Sequence, residues 1–209
     1  MKSNFLLFIQ GVICKSLIVF AGLFFLQPAN AQKITPIAKA GFGFSDWRLS
    51  EGAEVNTGVL PSLTLGIFGE INLQESVYIE SGLEYSTAGA ELKWDEYDAP
   101  NYSMSYLNLP VYGKLRLDNG FSFYAGPKVG FLLGAQVKEE YGSKEDVKDA
   151  FKNADFSFVM GASYKLHTAI EVGVQITHGF VNVYDAGDTE IRNRGFAINA
   201  GYIFPMPKA

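Results

Sequence analysis

Two histidines, His167 and His178, are the only imidazoles in the chain, so acid–base chemistry near neutral pH rests on them or on carboxylates. A lipid hydrolase at a membrane surface would set a serine and a carboxylate beside a histidine. His178 is the candidate, because it falls on the outward parity of an alternating run, near the outer end of that run. No serine pairs clearly with it, and the plainer reading is an interfacial histidine. His167 sits in a short turn and reads as a solvated turn residue. The single cysteine, Cys14, lies in the N-terminal segment. Beyond it neither disulfide nor thiolate chemistry is available. Two isolated histidines without cysteine do not make a nitrogen–sulfur metal site. Asp146, Asp149, Asp185 and Asp188 lack the spacing of a calcium loop. The expectation is a protein with no cofactor, no metal and no catalytic residues, with a lipid-modifying enzyme built on His178 as an alternative.

A second group of chemically capable residues shares one parity. Lys39, Glu70, Glu80, Glu84, Lys114, Arg116, Lys128, Lys165 and Glu171 all fall on the polar side of alternating runs. Both signs are present, so they are expected to pair inside a closed structure. A third group, Trp47, Trp94, Tyr97, Tyr102 and Tyr141, consists of aromatics in otherwise polar connections. Aromatics there suit a protein or glycan partner, and equally a girdle just above lipid.

The elements that must position these residues repeat with a period of two, the strand signal. From Phe121 to Val137, the residues Phe121, Phe123, Ala125, Val129, Phe131, Leu133, Ala135 and Val137 share one side. Ser122, Tyr124, Gly126, Lys128, Gly130, Gly134 and Gln136 share the other, with Leu132 as the exception. The preceding run, Tyr106 to Arg116, alternates likewise, and Asp118-Asn119-Gly120 between the two suits a tight hairpin turn. Similar runs span 34–44, 59–71, 76–88, 155–166, 169–183 and 194–204. That gives eight strands, each long enough to cross a bilayer when tilted. Connections after the second, fourth and sixth are short. Those after the first, third, fifth and seventh are long and polar. The densely charged 138–154 is the longest and suits a short surface helix. Membrane barrels place short turns in the periplasm and long loops outside. The reading is therefore an all-β, eight-stranded antiparallel up-and-down transmembrane barrel. It would be a monomer in outer membrane lipid, with both termini periplasmic. Side chains would fill its interior and leave no open pore.

The N-terminus fits export. Lys2 and Lys15 precede an apolar run from Leu17 to Leu26, and Ala29-Asn30-Ala31 forms an A-x-A cleavage site. Residues 1–31 thus read as a signal peptide and 32–209 as the barrel domain. The alternative, an uncleaved anchor, has a short apolar run for a span. Cleavage would remove two of the 17 lysines and arginines and none of the 22 acids, taking the formal charge from −5 to −7. Nothing in that balance suits nucleic acid.

The segments Tyr106-Leu107-Asn108-Leu109-Pro110-Val111 and Phe123-Tyr124-Ala125-Gly126-Pro127-Lys128-Val129-Gly130, with the closing run Arg194-Gly195-Phe196 through Gly201-Tyr202-Ile203-Phe204, resemble the PorT-like outer membrane β-barrel family of Bacteroidetes. The resemblance covers nearly the whole of the chain after residue 31. It implies the same eight-stranded barrel and, by association with PorT, an accessory place in gliding or type IX secretion. A fold alone does not carry that role over.

Overall fold

The computed structural model describes residues 33–50, 56–93, 100–138, 144–166, 169–185 and 189–205. Nine strands follow one another: β1 (Ile34–Leu49), β2 (Asn56–Gln74), β3 (Val77–Lys93), β4 (Asn101–Arg116), β5 (Phe121–Lys138), β6 (Lys144–Asp146), β7 (Ala154–Lys165), β8 (Ile170–Gly179) and β9 (Ile191–Ile203). One 3-10 turn, Lys148–Ala150, lies between β6 and β7. The eight long strands pair antiparallel in the order β4-β3-β2-β1-β9-β8-β7-β5, and β4 also pairs with β5. That last pairing closes the sheet into a barrel of eight strands. The expected strand count is met. β6 is an addition, a three-residue piece folded back onto the top of β5 through Gln136↔Asp146, Val137↔Glu145 and Lys138↔Lys144.

Closure follows from what lies on each face. Outward-pointing side chains are almost all apolar: Phe42 is 58% exposed, Ile67 66% and Ile198 60%. Water could not tolerate a continuous band of this kind, whereas hydrocarbon can. In hydrocarbon each backbone N–H and C=O must find a partner within the sheet, so no edge can be left open. The seam between first and last strands is accordingly long, from Ile37↔Ile203 to Leu49↔Ile191.

The connections separate by length as the sequence implies. β2–β3, β4–β5 and β7–β8 are joined by a few residues at one end, where β1 begins and β9 stops. The long connections all lie at the other end. In the β4–β5 turn only Gly120 has a positive φ, +89°. The N–H of Gly120 donates to the Leu117 carbonyl at 3.0 Å, and Asn119 accepts from the Phe121 N–H at 3.2 Å.

Most strands outrun their sequence-based limits at the long-connection end. Residues 45–49, 56–58, 89–93, 101–105 and 191–193 were expected in loops and are strand instead. The eighth strand in chain order, β8, stops at Gly179, short of the expected Val183. In the segment 138–154 the described residues form no α-helix: they supply β6, a single 3-10 turn, and then an inward-turned Phe151. Neighbouring residues override local polarity here, because a strand end already paired on both sides gains hydrogen bonds by continuing. The expected signal peptide, 1–31 with Ala29 and Ala31, lies outside the described residues.

Gly43 sits on the seam, and a Cβ there would come within 1.8 Å of the Phe196 carbonyl oxygen and 2.6 Å of the Ala197 Cα. Both are backbone atoms with nowhere to move. Gly113 has only the Ala125 carbonyl at 3.9 Å. Gly43→Val is therefore expected to cost about 1–3 kcal/mol or more by overpacking, and Gly113→Ala almost nothing. Heat-modifiable gel mobility of the refolded barrel checks this. Equal folded fractions for the two variants would contradict the seam geometry.

Candidate functional site

The interior is filled in three layers. Nearest the short turns lies a charge cluster built from five strands. Lys114 on β4 is fully enclosed, and its Nζ meets Glu171 at 2.8 Å, Glu70 at 3.1 Å and Glu80 at 3.3 Å. Lys39 on β1 reaches Glu80 at 2.5 Å and Glu171 at 3.8 Å. Its ammonium also lies 5.0 Å from the Phe68 ring centre and 5.6 Å from that of Tyr124. Arg116 binds Glu70 at 2.7 Å and stacks 4.4 Å above the Tyr78 ring. Three cations thus meet three carboxylates. A buried ion costs several kcal/mol unless its partners return it. At an effective dielectric near 20, one contact at 4 Å returns about 4 kcal/mol. Lys114 has three such partners, which is why a lysine is tolerated at a site without water access.

One layer up, the motifs singled out in the sequence meet each other. Asn108 pairs in register with Gly130, and Pro110 with Lys128. Asn108 donates to the Ser86 hydroxyl at 2.8 Å and to Glu84 at 3.4 Å. Lys128 reaches the same Glu84 at 3.4 Å. A side chain at Gly130 would strike the Asn108 amide at 2.7 Å. Asn108 and Gly130 are two halves of one contact. Above them a polar chamber of about 50 Å³ is lined by Ser45, Ser62, Asn108, Asp155, Ser157 and Asn193 among others, room for roughly a few waters. Asn193 spans its roof. Its amide donates to Asp155 at 3.0 Å and to Tyr106 at 3.3 Å, and its carbonyl accepts from the Trp47 indole at 3.1 Å.

The third layer is an aromatic plug. Trp47, Met104, Tyr106, Leu132, Phe151, Val183 and Ile191 pack together, all buried. Phe151 lies 5.8 Å from Trp47, 6.3 Å from Tyr102 and 5.7 Å from Tyr184, ring centre to ring centre. Backbone bonds fasten it: Lys152 N–H to Val183 O at 2.8 Å, Asp185 N–H to Ala150 O at 2.9 Å, and Leu132 N–H to Asn153 O at 2.9 Å.

These positions revise several expectations. Trp47 is not a loop aromatic; at 1% exposure it is the centre of the plug. Tyr102 lies on β4 and packs 5.3 Å from the Trp47 ring. Both belong to strand ends that the polar surroundings disguised. Trp94, Tyr97 and Tyr141 lie outside the described residues, as does His167. Of the nine inner-parity charges, eight pair in the interior. Lys165 has the right parity but sits at the last residue of β7, where the side chain is exposed and makes no ion pair with the described residues. Phe151 and Val183 carried no sequence signal. Leu132 did: an apolar residue on the polar parity marks the plug.

His178 on β8 is half-buried on the outer wall. Its ring is 5.3 Å from that of Phe180, and its cross-strand neighbours are Phe158 and Arg194. Ser157 is buried on the opposite, inner face. Among the described residues no group of three or more His, Cys, Asp or Glu is placed to hold a metal ion.

Residues 30–185 match the family model described as an outer membrane protein beta-barrel domain. The chain belongs to this family. Its place is the bacterial outer membrane, and β9, beyond the matched residues, completes the barrel. Among solved structures the chain is similar to Neisserial surface protein A, NspA, with 10% identity and a TM-score of 0.55 over 81% of this chain and 97% of that one. Other matches are Ail of Yersinia pestis, 16% identical with a TM-score of 0.44 over 81% of this chain and 99% of that one, and OprG of Pseudomonas aeruginosa, 12% identical with a TM-score of 0.47 over 84% and 98%. At such identity the likeness concerns the fold. No curated protein matches the sequence significantly.

Replacing Lys114 with Met leaves three carboxylates facing one another without their shared cation. The expected cost is about 3–5 kcal/mol, read as a fall in the urea midpoint of the barrel in lipid. Lys165→Met should leave the midpoint essentially unchanged. Similar midpoints for the two variants would mean the cluster does not carry the stability assigned to it.

Proposed function

We propose that this barrel is a closed display scaffold. Its interior is structural, and its work is binding at the long-connection end, which faces the cell exterior while both termini face the periplasm. One observation carries the reading. Interior polar chemistry is spent largely on internal partners, while β2, β3, β4, β5 and β6 continue past the plug as an ordered sheet. Beyond the plug's own Ala90, Met104 and Ala135 the pairings Asn56↔Lys93, Glu91↔Asn101, Asn101↔Lys138 and Lys138↔Lys144 carry the sheet on. Strands extended beyond the lipid are more than a barrel needs to stay folded. They support a rigid surface for a protein or glycan partner, to which Trp94, Tyr97 and Tyr141 in the adjoining connections would add aromatic contacts.

The finer reading, a PorT-like chain of Bacteroidetes acting beside a secretion complex, rests on the sequence resemblance of the segments Tyr106–Val111 and Phe123–Gly130, which lie side by side on β4 and β5. On this proposal the chain is a monomer, not an enzyme, and uses no cofactor. His178, flanked by Phe158 and Arg194 rather than by a serine, serves the membrane interface.

A cysteine at Lys144 in a chain whose leader is removed would be the only thiol, so Lys144→Cys should react with an impermeant maleimide on intact cells. Reaction only after the outer membrane is opened would reverse the orientation. A photo-crosslinker at Lys144 should yield a protein or glycan adduct in native membranes, and one at Asn119 none. Adducts confined to Asn119 would overturn the display role. His178→Ala should leave lipid A acylation unchanged; altered lipids would restore the enzyme reading.

A further inference from the structure

Above the apolar band, the seam of β1 and β9 carries arginines on its outer wall. Arg48 and Arg192 stand directly opposite each other in register, and Arg194 lies two residues along β9 from Arg192. His178 is the cross-strand neighbour of Arg194 on β8. Two acids face this group. Asp46 binds Arg194 at 2.5 Å, and Glu190 binds Arg192 at 2.6 Å. Those pairs account for one guanidinium edge each. The Arg192 side chain remains 37% exposed beside its Glu190 contact, and the exposed Arg48 makes no ion pair with the described residues. Like charges directly opposite on a sheet repel. A sheet that keeps two arginines in that position is suited to an anion between them.

The level identifies the anion. One outward step below Asp46 and Arg194 is the opposed pair Phe44 and Phe196, 47% and 43% exposed. Below these the same strands turn only apolar side chains outward, as far as Phe204. Each outward step is about 6.6 Å along a strand. Arg192 and Arg48 therefore stand roughly 13 Å along the strand above the last aromatics, at the height where hydrocarbon gives way to headgroups. A ligand here would rest acyl chains on Phe44 and Phe196 and present its anion to Arg48 and Arg192. Guanidinium forks match phosphate oxygens in pairs.

We propose that Arg48 and Arg192 form a binding site for the phosphate of an outer-leaflet phosphoglycolipid, with Arg194 and His178 at its flank. The site rests on the orientation proposed above, since the inner leaflet would offer a phospholipid phosphate instead. It fixes the seam of the barrel to the lipid around it and gives this wall a role separate from the loops.

The test uses the full barrel in non-ionic detergent, with a bis-phosphorylated, acylated glucosamine disaccharide as probe and native mass spectrometry as readout. The unmodified barrel should retain about one probe molecule. The double variant Arg48→Gln, Arg192→Gln should retain at least tenfold less while keeping its heat-modifiable mobility, and the dephosphorylated probe should bind as weakly to the unmodified barrel. Equal retention by the double variant, or equal binding of the dephosphorylated probe, would overturn the site. Equal retention of phosphatidylglycerol would overturn the choice of a glycolipid. An inverted barrel would be exposed separately by the Lys144→Cys labelling, which does not depend on lipid binding.

Discussion

Unpaired backbone groups cannot remain in hydrocarbon, and the other features of this molecule follow from that constraint. It forces eight strands to close, which produces an inside and an outside from one alternating pattern. Closure at eight strands leaves an interior narrow enough for side chains to span. The residues inside must then satisfy one another. Lys114 with Glu70, Glu80 and Glu171 is the consequence at one end. Trp47 with Phe151 and Tyr102 is the consequence at the other.

The two ends solve the same filling problem differently. Toward the short turns the interior is ionic, and five of the strands donate one or two long charged side chains to a shared centre. Toward the long connections it is aromatic, and part of the filling comes from two connections outside the barrel strands, through Phe151 and Val183. Between them Asn193 links indole, phenol and carboxylate, so the aromatic plug is tied by hydrogen bonds to the polar chamber beneath it. A lumen filled this way suits a scaffold rather than a conduit.

The sequence disclosed what has a period. The short turns, most strand faces and the inner parity of Lys39, Glu70, Glu80, Glu84, Lys114, Arg116, Lys128 and Glu171 could be read from alternation; at the top of β5 an irregularity in the pairing with β4 turns Ala135 and Val137 inward and Gln136 outward, against the alternation. What the sequence concealed has no period of its own. The upper ends of β1 and β4 carry Trp47 and Tyr102 amid polar neighbours, and they are strands because adjoining strands extend beside them. Phe151 lies in a dense run of charges, and only the tertiary contact with Val183 and Tyr184 turns it inward. Lys165 shows the complementary error: parity assigns a direction, while position along the strand decides whether water reaches the side chain. The arginines of the outer wall were invisible for a related reason. Arg48 and Arg192 are far apart in sequence and face each other only across the closing seam.

That seam is the place where the constraint can be examined directly. Amide hydrogen exchange, resolved by residue in the barrel held in a lipid nanodisc, reports whether each N–H is paired and shielded. If the sheet is closed as described, the amides of Ile37–Ser45 on β1 and their partners Gly195–Ile203 on β9 will exchange as slowly as those joining β3 to β4. Rapid exchange confined to the β1–β9 seam, with the other pairings protected, would show an open sheet and contradict the closed barrel.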